Sequence, residues 1–272
     1  MGNILVKTIG MLATPQGKTA KKGAEQGQIQ ILKDAWVLVK DGVIDSVGTG
    51  AAPAAPGAEV IDAQGNLVTP GLVDAHTHLI FGGWRQNELG MKLHGKTYLE
   101  IQNAGGGIQS TTNATRKATE QELAEKATKA LNEMMGFGVT TVEAKSGYGL
   151  ATEHELKALR VIKDLNDHHP MDVVATFMGA HLVPAEYKSN HAEYIRLVCE
   201  EMMPKVKEQG IAKFCDVFCE ADTFSVEESR QVLEAGLKYG LRPKIHADEI
   251  EAIGGSVLAG EIGAISAEHL IV

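Results

Sequence analysis

The chain has 272 residues, with 26 Lys+Arg against 35 Asp+Glu and a formal net charge of −9. Hydrophobic residues make up 44% and charged residues 22%, enough apolar surface for a sizeable core and the balance of a folded protein, not a disordered one. The acidic balance argues against a protein that coats nucleic acid or an anionic membrane, and no apolar run approaches the roughly 20 residues that cross a bilayer. The N-terminus shows no secretory leader layout. Cys199, Cys215 and Cys219 are too few and too odd in number for a disulfide framework, so a reducing cytoplasm is expected. Cys215 and Cys219 stand in an apolar segment and read as small buried hydrophobes.

Residues 1–70 read as β structure. Asp41-Gly42 between two apolar stretches is a hairpin signal. VIDAQGNLV at 60–68 predicts a second short hairpin, punctuated by Pro70-Gly71. Gly105-Gly106-Gly107 reads as a flexible loop. After Pro70, short apolar runs alternate with amphipathic ones. The predicted strands are 72–80, 139–146, 172–181, 212–219, 242–248 and 264–272. Thr119 with Glu122, Thr152 with Glu155 and Ser225 with Glu228 each fit a helix capping box. The first of these helices carries Leu123, Ala127, Leu131 and Met134 at a period near 3.6 and stops at Gly136. Strands alternating with helices predict an α/β fold with a parallel sheet. No G-x-G-x-x-G loop follows an early strand, which disfavours a dinucleotide-binding open sheet.

Five of the ten histidines fall at or near the C-terminal ends of predicted strands: His76, His78, His181, His246 and His269. That end is where barrel enzymes carry their sites. His76 and His78 share a strand face, as does Asp74, and two imidazoles so placed suit one zinc or iron ion. His94, His154, His168, His169 and His191 fall in helical or loop stretches and are given no role.

VKDGVIDSVG followed by VIDAQGNLVTPGLVDAHTHL resembles the opening of the amidohydrolase superfamily. DAHTHLIFGGWRQNE, NAGGGIQSTTNATR, VEAKSGYGL, FMGAH, KIHADEI and SAEHL are similar to segments of its imidazolonepropionase family. The resemblance runs through the whole chain. It implies a small N-terminal β-sandwich domain (1–70) and an amidohydrolase-type (β/α)8 TIM barrel (71–272). It implies one Zn2+ or Fe3+ per subunit, held by His76, His78 and His246. A bridging Lys on the fourth strand would mark a two-metal site, but Lys213 lies at the wrong end. The implied reaction is hydrolysis of the ring amide of 4-imidazolone-5-propanoate to N-formimidoyl-L-glutamate by a metal-activated water. Glu249 and His269 are then the catalytic pair, Glu249 also holding a ring nitrogen. Arg85, Tyr148 and His181 contact the substrate. Arg116 competes with Arg85 for the carboxylate, and Glu220 reads equally as a site residue or a solvated loop acid. Superfamily habit makes a homodimer the expected assembly, with no nucleic-acid or membrane partner. The competing assignments are another cyclic amidohydrolase, an aminohydrolase such as a guanine deaminase, or a non-catalytic relative.

Only about six βα units are visible before Val272, where the family pattern has eight and a further Asp ligand. The expectation is a C-terminally truncated chain with an open part-barrel and doubtful activity by itself.

Overall fold

Asp41 and Gly42 both adopt the left-handed backbone, with φ of 52° and 81°. This two-residue turn joins β2 (Ile29–Lys40) to β3 (Val43–Thr49) as an antiparallel pair. β2 pairs on its other side with β1 (Ile4–Pro15), also antiparallel. The predicted second hairpin does not form. β4 (Glu59–Asp62) and β5 (Leu67–Val68) both lie parallel to β1 and not against each other. Gly10 explains how: a Cβ there would sit 2.0 Å from the Gly65 carbonyl oxygen, so β1 and the 63–66 turn are in direct backbone contact. The Gly10 amide donates to Asn66 O at 3.1 Å. Ile9, Leu12, Ala35 and Val37 form the buried cluster of this sheet.

The computed structural model describes residues 2–17, 19–97, 100–101 and 104–272. It divides into the units Met1–Gly71 and Leu72–Val272. Asn103, which opens the Gly-rich segment, lies outside the described residues.

The second unit is a TIM-barrel-like α/β unit: six parallel strands in sequential order, β6 (Leu72–Thr77), β7 (Val139–Lys145), β8 (Asp172–Ala180), β9 (Phe214–Cys219), β10 (Arg242–Ala247) and β11 (Ser266–His269). β6 leads to α1 (Gln86–Leu93), α2 (Gly107–Lys117) and α3 (Glu120–Gly136); β7 leads to α4 (Thr152–His168). β8 is followed by α5 (His191–Arg196), a π-helical stretch (Leu197–Met202) and α6 (Met203–Gln209); β9 by α7 (Val226–Lys238) and β10 by α8 (Gly255–Ile262). Gly105-Gly106-Gly107 is thus not wholly a loop, since Gly106 caps α2 and Gly107 begins it.

Alternation sends Val142, Ala144, Cys215, Val217, Ile245 and Ala247 into the apolar layer beneath the helices. The intervening residues face inward. The sheet curls far enough that Glu268 on β11 lies 3.2 Å from His76 on β6, and Lys244 on β10 donates to Ala75 O at 3.0 Å. Both edge strands therefore look into one interior.

The capping boxes at Thr119/Glu122 and Ser225/Glu228 are present in full. The one at Thr152/Glu155 is not. Ala151 caps α4, Thr152 donates to Glu201, and Glu155 turns away to another task. Ser225→Ala removes the acceptor for the Glu228 amide and is expected to lower stability by about 1 kcal/mol, or about 2–4 °C in melting midpoint, measured by thermal denaturation.

Candidate active site

Five imidazoles gather where the strands end. Ring centroids lie 4.5 Å apart for His76–His246, 5.3 Å for His76–His78, 5.1 Å for His246–His269 and 4.8 Å for His78–His181. Nitrogens of His76, His246 and His269 lie within 4.8 Å of one another. His78 Nε2 stands 3.1 Å from His246 Nε2. Two nitrogens bound tetrahedrally to one zinc at 2.0–2.1 Å would stand about 3.3 Å apart, so the spacing fits a shared ion. Burial pushes His78 well below the usual imidazole range, and the neighbouring His181, His246, Lys145 and His76 add to it. The ring is therefore neutral, as a ligand must be. Its buried Nδ1 has no hydrogen-bond partner.

The other two ligand candidates have their Nδ1 atoms engaged. His246 Nδ1 is 3.0 Å from Asp216 Oδ1, and His76 Nδ1 is 3.2 Å from Glu268 Oε2. Burial opposes ionisation of Asp216, but His246 and Lys145 outweigh it and hold the carboxyl well below its usual range. Burial likewise opposes Glu268, and hydrogen bonds from His76, Ser266 and Lys244 outweigh it. Against an ionised carboxylate the imidazole nitrogen must donate, so Nδ1 of both rings carries a proton and Nε2 is the nitrogen left to face an ion.

Glu249 and His269 meet, Oε2 to Nε2, at 3.4 Å. His269 reaches this position from a left-handed backbone, φ 73°, a conformation a non-glycine residue holds only when its surroundings impose it. Glu220 is not a solvated acid. It is 1% exposed, and its carboxylate accepts from the amides of Glu249 (3.1 Å), Ile250 (2.8 Å), Glu251 (3.0 Å) and Ala221 (2.9 Å). It fixes the loop that carries Glu249.

The Ser-Gly-Tyr-Gly loop after β7 is held the same way. Glu155, fully buried, accepts from Gly147 (2.9 Å), Gly149 (2.8 Å) and Leu150 (2.8 Å). Gly147 has φ 101°, and a Cβ there would meet Met178 O at 2.9 Å and the His181 ring at 3.2 Å. His181 Nδ1 donates to Gly147 O at 2.9 Å, leaving its Nε2 without a proton. Tyr148 sits edge-on to His181, ring centroids 5.0 Å apart. Burial raises its phenol, and the charge of Arg85 nearby opposes that rise. Arg85 is 3.8 Å from Glu88 and otherwise loosely held. Lys126, stacked over Phe81 and Trp84, braces the loop that carries it. Arg116 is committed elsewhere: it donates to Gly149 O, Leu150 O and Glu186.

Lys213 precedes β9, at the end remote from the histidines. The residues that sequence reasoning passed over are the inward charges. Lys145, with no exposed surface, bridges Glu143 and Asp216 at 2.7 Å each. Their signal was a charge at every second position of otherwise apolar strands.

The amidohydrolase family matches residues 59–97 of the chain. The imidazolonepropionase of Alkaliphilus metalliredigens is 50% identical over 277 residues, and that of Geobacillus sp. WCH70 is 49% identical over 279. Each alignment covers 100% of this chain and 66% of the relative, so the chain spans just under two thirds of their length. Among solved structures, a Xaa-Pro dipeptidase with bound methionine superimposes with a TM-score of 0.62 at 16% identity, covering 98% of this chain and 61% of that one. That likeness supports the fold alone. No helix among the described residues is long and apolar enough to cross a membrane.

Burial, then the like charge of His246, lowers His181 from 6.5 to about 4, the Gly147 carbonyl opposing. The unfolded chain therefore binds a proton near pH 6.5 that the folded chain refuses. The stability contributed is present above pH 6.5 and is lost as pH falls toward 4. In metal-free protein the melting midpoint should fall across that window, and His181→Gln should flatten the fall. A midpoint equally steep in the variant would remove His181 as the cause.

Proposed function

The chain belongs to the imidazolonepropionase family of the amidohydrolase superfamily, and on that premise we propose that the protein hydrolyses the ring amide of 4-imidazolone-5-propanoate, giving N-formimidoyl-L-glutamate in histidine degradation. Superfamily members are metal-dependent hydrolases. In this reading His76, His78 and His246 hold a single ion, Zn2+ or Fe3+, on the first six strands (71–272) of a (β/α)8 barrel, and residues 1–70 are the N-terminal part of a small β-sandwich. The observation that carries it is the meeting of the His78 and His246 Nε2 atoms at 3.1 Å beside the Glu249–His269 pair.

The ion, when bound, supplies a Lewis acid that acidifies water and polarises a carbonyl. The rest is done by side chains of this chain. Glu249 takes a proton from the attacking water. His269, 3.4 Å from the Glu249 carboxylate, passes it toward the departing ring nitrogen. Glu249 also holds a ring N–H. His181 and Tyr148 border the imidazolone ring, His181 as a neutral imidazole. Arg85 binds the propanoate through its two-pronged guanidinium. The setting is the cytoplasm.

The test measures imidazolonepropionate hydrolysis and bound metal together, for the chain as it stands and for the chain joined to the C-terminal third of a relative. Turnover with one metal per chain in the joined protein supports the reading. Metal binding without turnover in the joined protein overturns the substrate assignment.

His76→Ala, His78→Ala and His246→Ala should each lower metal content and turnover in step; undiminished metal in His246→Ala removes it from the ligand set. Arg85→Lys keeps the charge but loses the planar fork, so KM should rise about tenfold or more with metal content unchanged. An unaltered KM places the carboxylate elsewhere.

A further inference from the structure

The two carboxylates behind His246 and His76 are not separate supports. Asp216, which receives His246 Nδ1, is bound by Lys145 at 2.7 Å; Lys145 binds Glu143 at 2.7 Å. Glu143 lies 3.6 Å from Lys244, and Lys244 lies 3.0 Å from Glu268, which receives His76 Nδ1. The result is an unbroken line of alternating charge that leaves one imidazole and returns on the other. It crosses β9, β7, β10 and β11 before it ends on β6. Four members are sealed, Asp216 and Lys145 at 0% exposed, Lys244 at 5% and Glu143 at 6%, while Glu268 keeps 15% of its side chain exposed. Thr176 donates to Glu143, and Lys244 also donates to Ala75 O, so the middle of the line is also anchored to β8 and β6.

Buried ion pairs are poor value for stability alone, because desolvation offsets much of the attraction. A packing role would not require both ends of the line to finish on Nδ1 of an imidazole. Resting on the reading of His76 and His246 as metal ligands, the geometry points to Asp216, Lys145, Glu143, Lys244 and Glu268 acting as one positioning device. It fixes the ring orientation and the Nδ1–H tautomer of both histidines together. The lysines hold the outer carboxylates aimed at the imidazoles. Glu143 holds the two lysines in register and thereby couples rings it does not touch. The line carries three negative and two positive charges, so it offers the cation one compensating charge from below.

The tests use metal-free protein and Zn2+ alone. Long-range nitrogen–proton NMR of the imidazoles should show the proton on Nδ1 of both His76 and His246 in the parent protein. A proton on Nε2 of either ring in the parent overturns the inference without any variant. Asp216→Asn and Glu268→Gln should each weaken Zn2+ binding about 10–100-fold in competition with a chromogenic chelator, and mix the tautomers of the attached ring. Glu143→Gln is near-isosteric and contacts neither histidine. It should weaken Zn2+ binding severalfold and broaden the tautomer signals of both rings. Unchanged Zn2+ affinity and tautomers in folded Glu143→Gln would reduce the line to packing. Failure of the metal reading looks different, because His246→Ala would then bind Zn2+ as tightly as the parent.

Discussion

Lys145 cannot be buried alone. An unpaired ammonium with no exposed surface costs several kcal/mol even after relaxation. It is tolerated because Glu143 on its own strand and Asp216 on β9 close around it, and Asp216 is in reach only because the parallel sheet curls. The same carboxylate receives His246. The contact that permits the lysine thus also sets where the His246 ring can stand, and the curvature of the sheet and the geometry of the candidate site become one requirement.

Much of the architecture could be read along the chain because it is written locally. All six parallel strands begin and end within three residues of their apolar runs, and the Asp41-Gly42 turn is a two-residue signal that needs no distant partner. The histidines were legible because strand ends share one rim. The errors fall where a distant group competes for a local one. VIDAQGNLV has hairpin composition, but β1 offers both of its halves a longer partner. Thr152-x-x-Glu155 has the letters of a capping box, but three orphan amides of the loop after β7 take the carboxylate instead. The inward charges were hidden because each strand shows only one or two of them. Apart from Lys145 with Glu143, their pairing is between strands, and nothing in the chain order says that Glu143 will face Lys244.

Glu155 and Glu220 are alike in an informative way. Each is a buried acid that spends its oxygens on backbone amides of a loop carrying a candidate site residue, Tyr148 in one case and Glu249 in the other. Loops are ordinarily the mobile part of such a fold. Here two of them are clamped by groups rooted outside their own turns. The site gains rigidity from side chains that never meet a substrate.

The line of alternating charge also restricts how such a protein can vary over generations. Neutralising any one member leaves its neighbours with one partner where they had two and shifts the buried charge balance, so single changes along it are costly even where the replacement fits the space. A viable path out must alter adjacent members together, or replace a whole segment by apolar groups of matching volume. The two terminal carboxylates are confined further, since each also answers to an imidazole. Variation should therefore be concerted in the middle of the line and nearly frozen at its ends, a pattern of inheritance set by electrostatics as much as by chemistry at the metal.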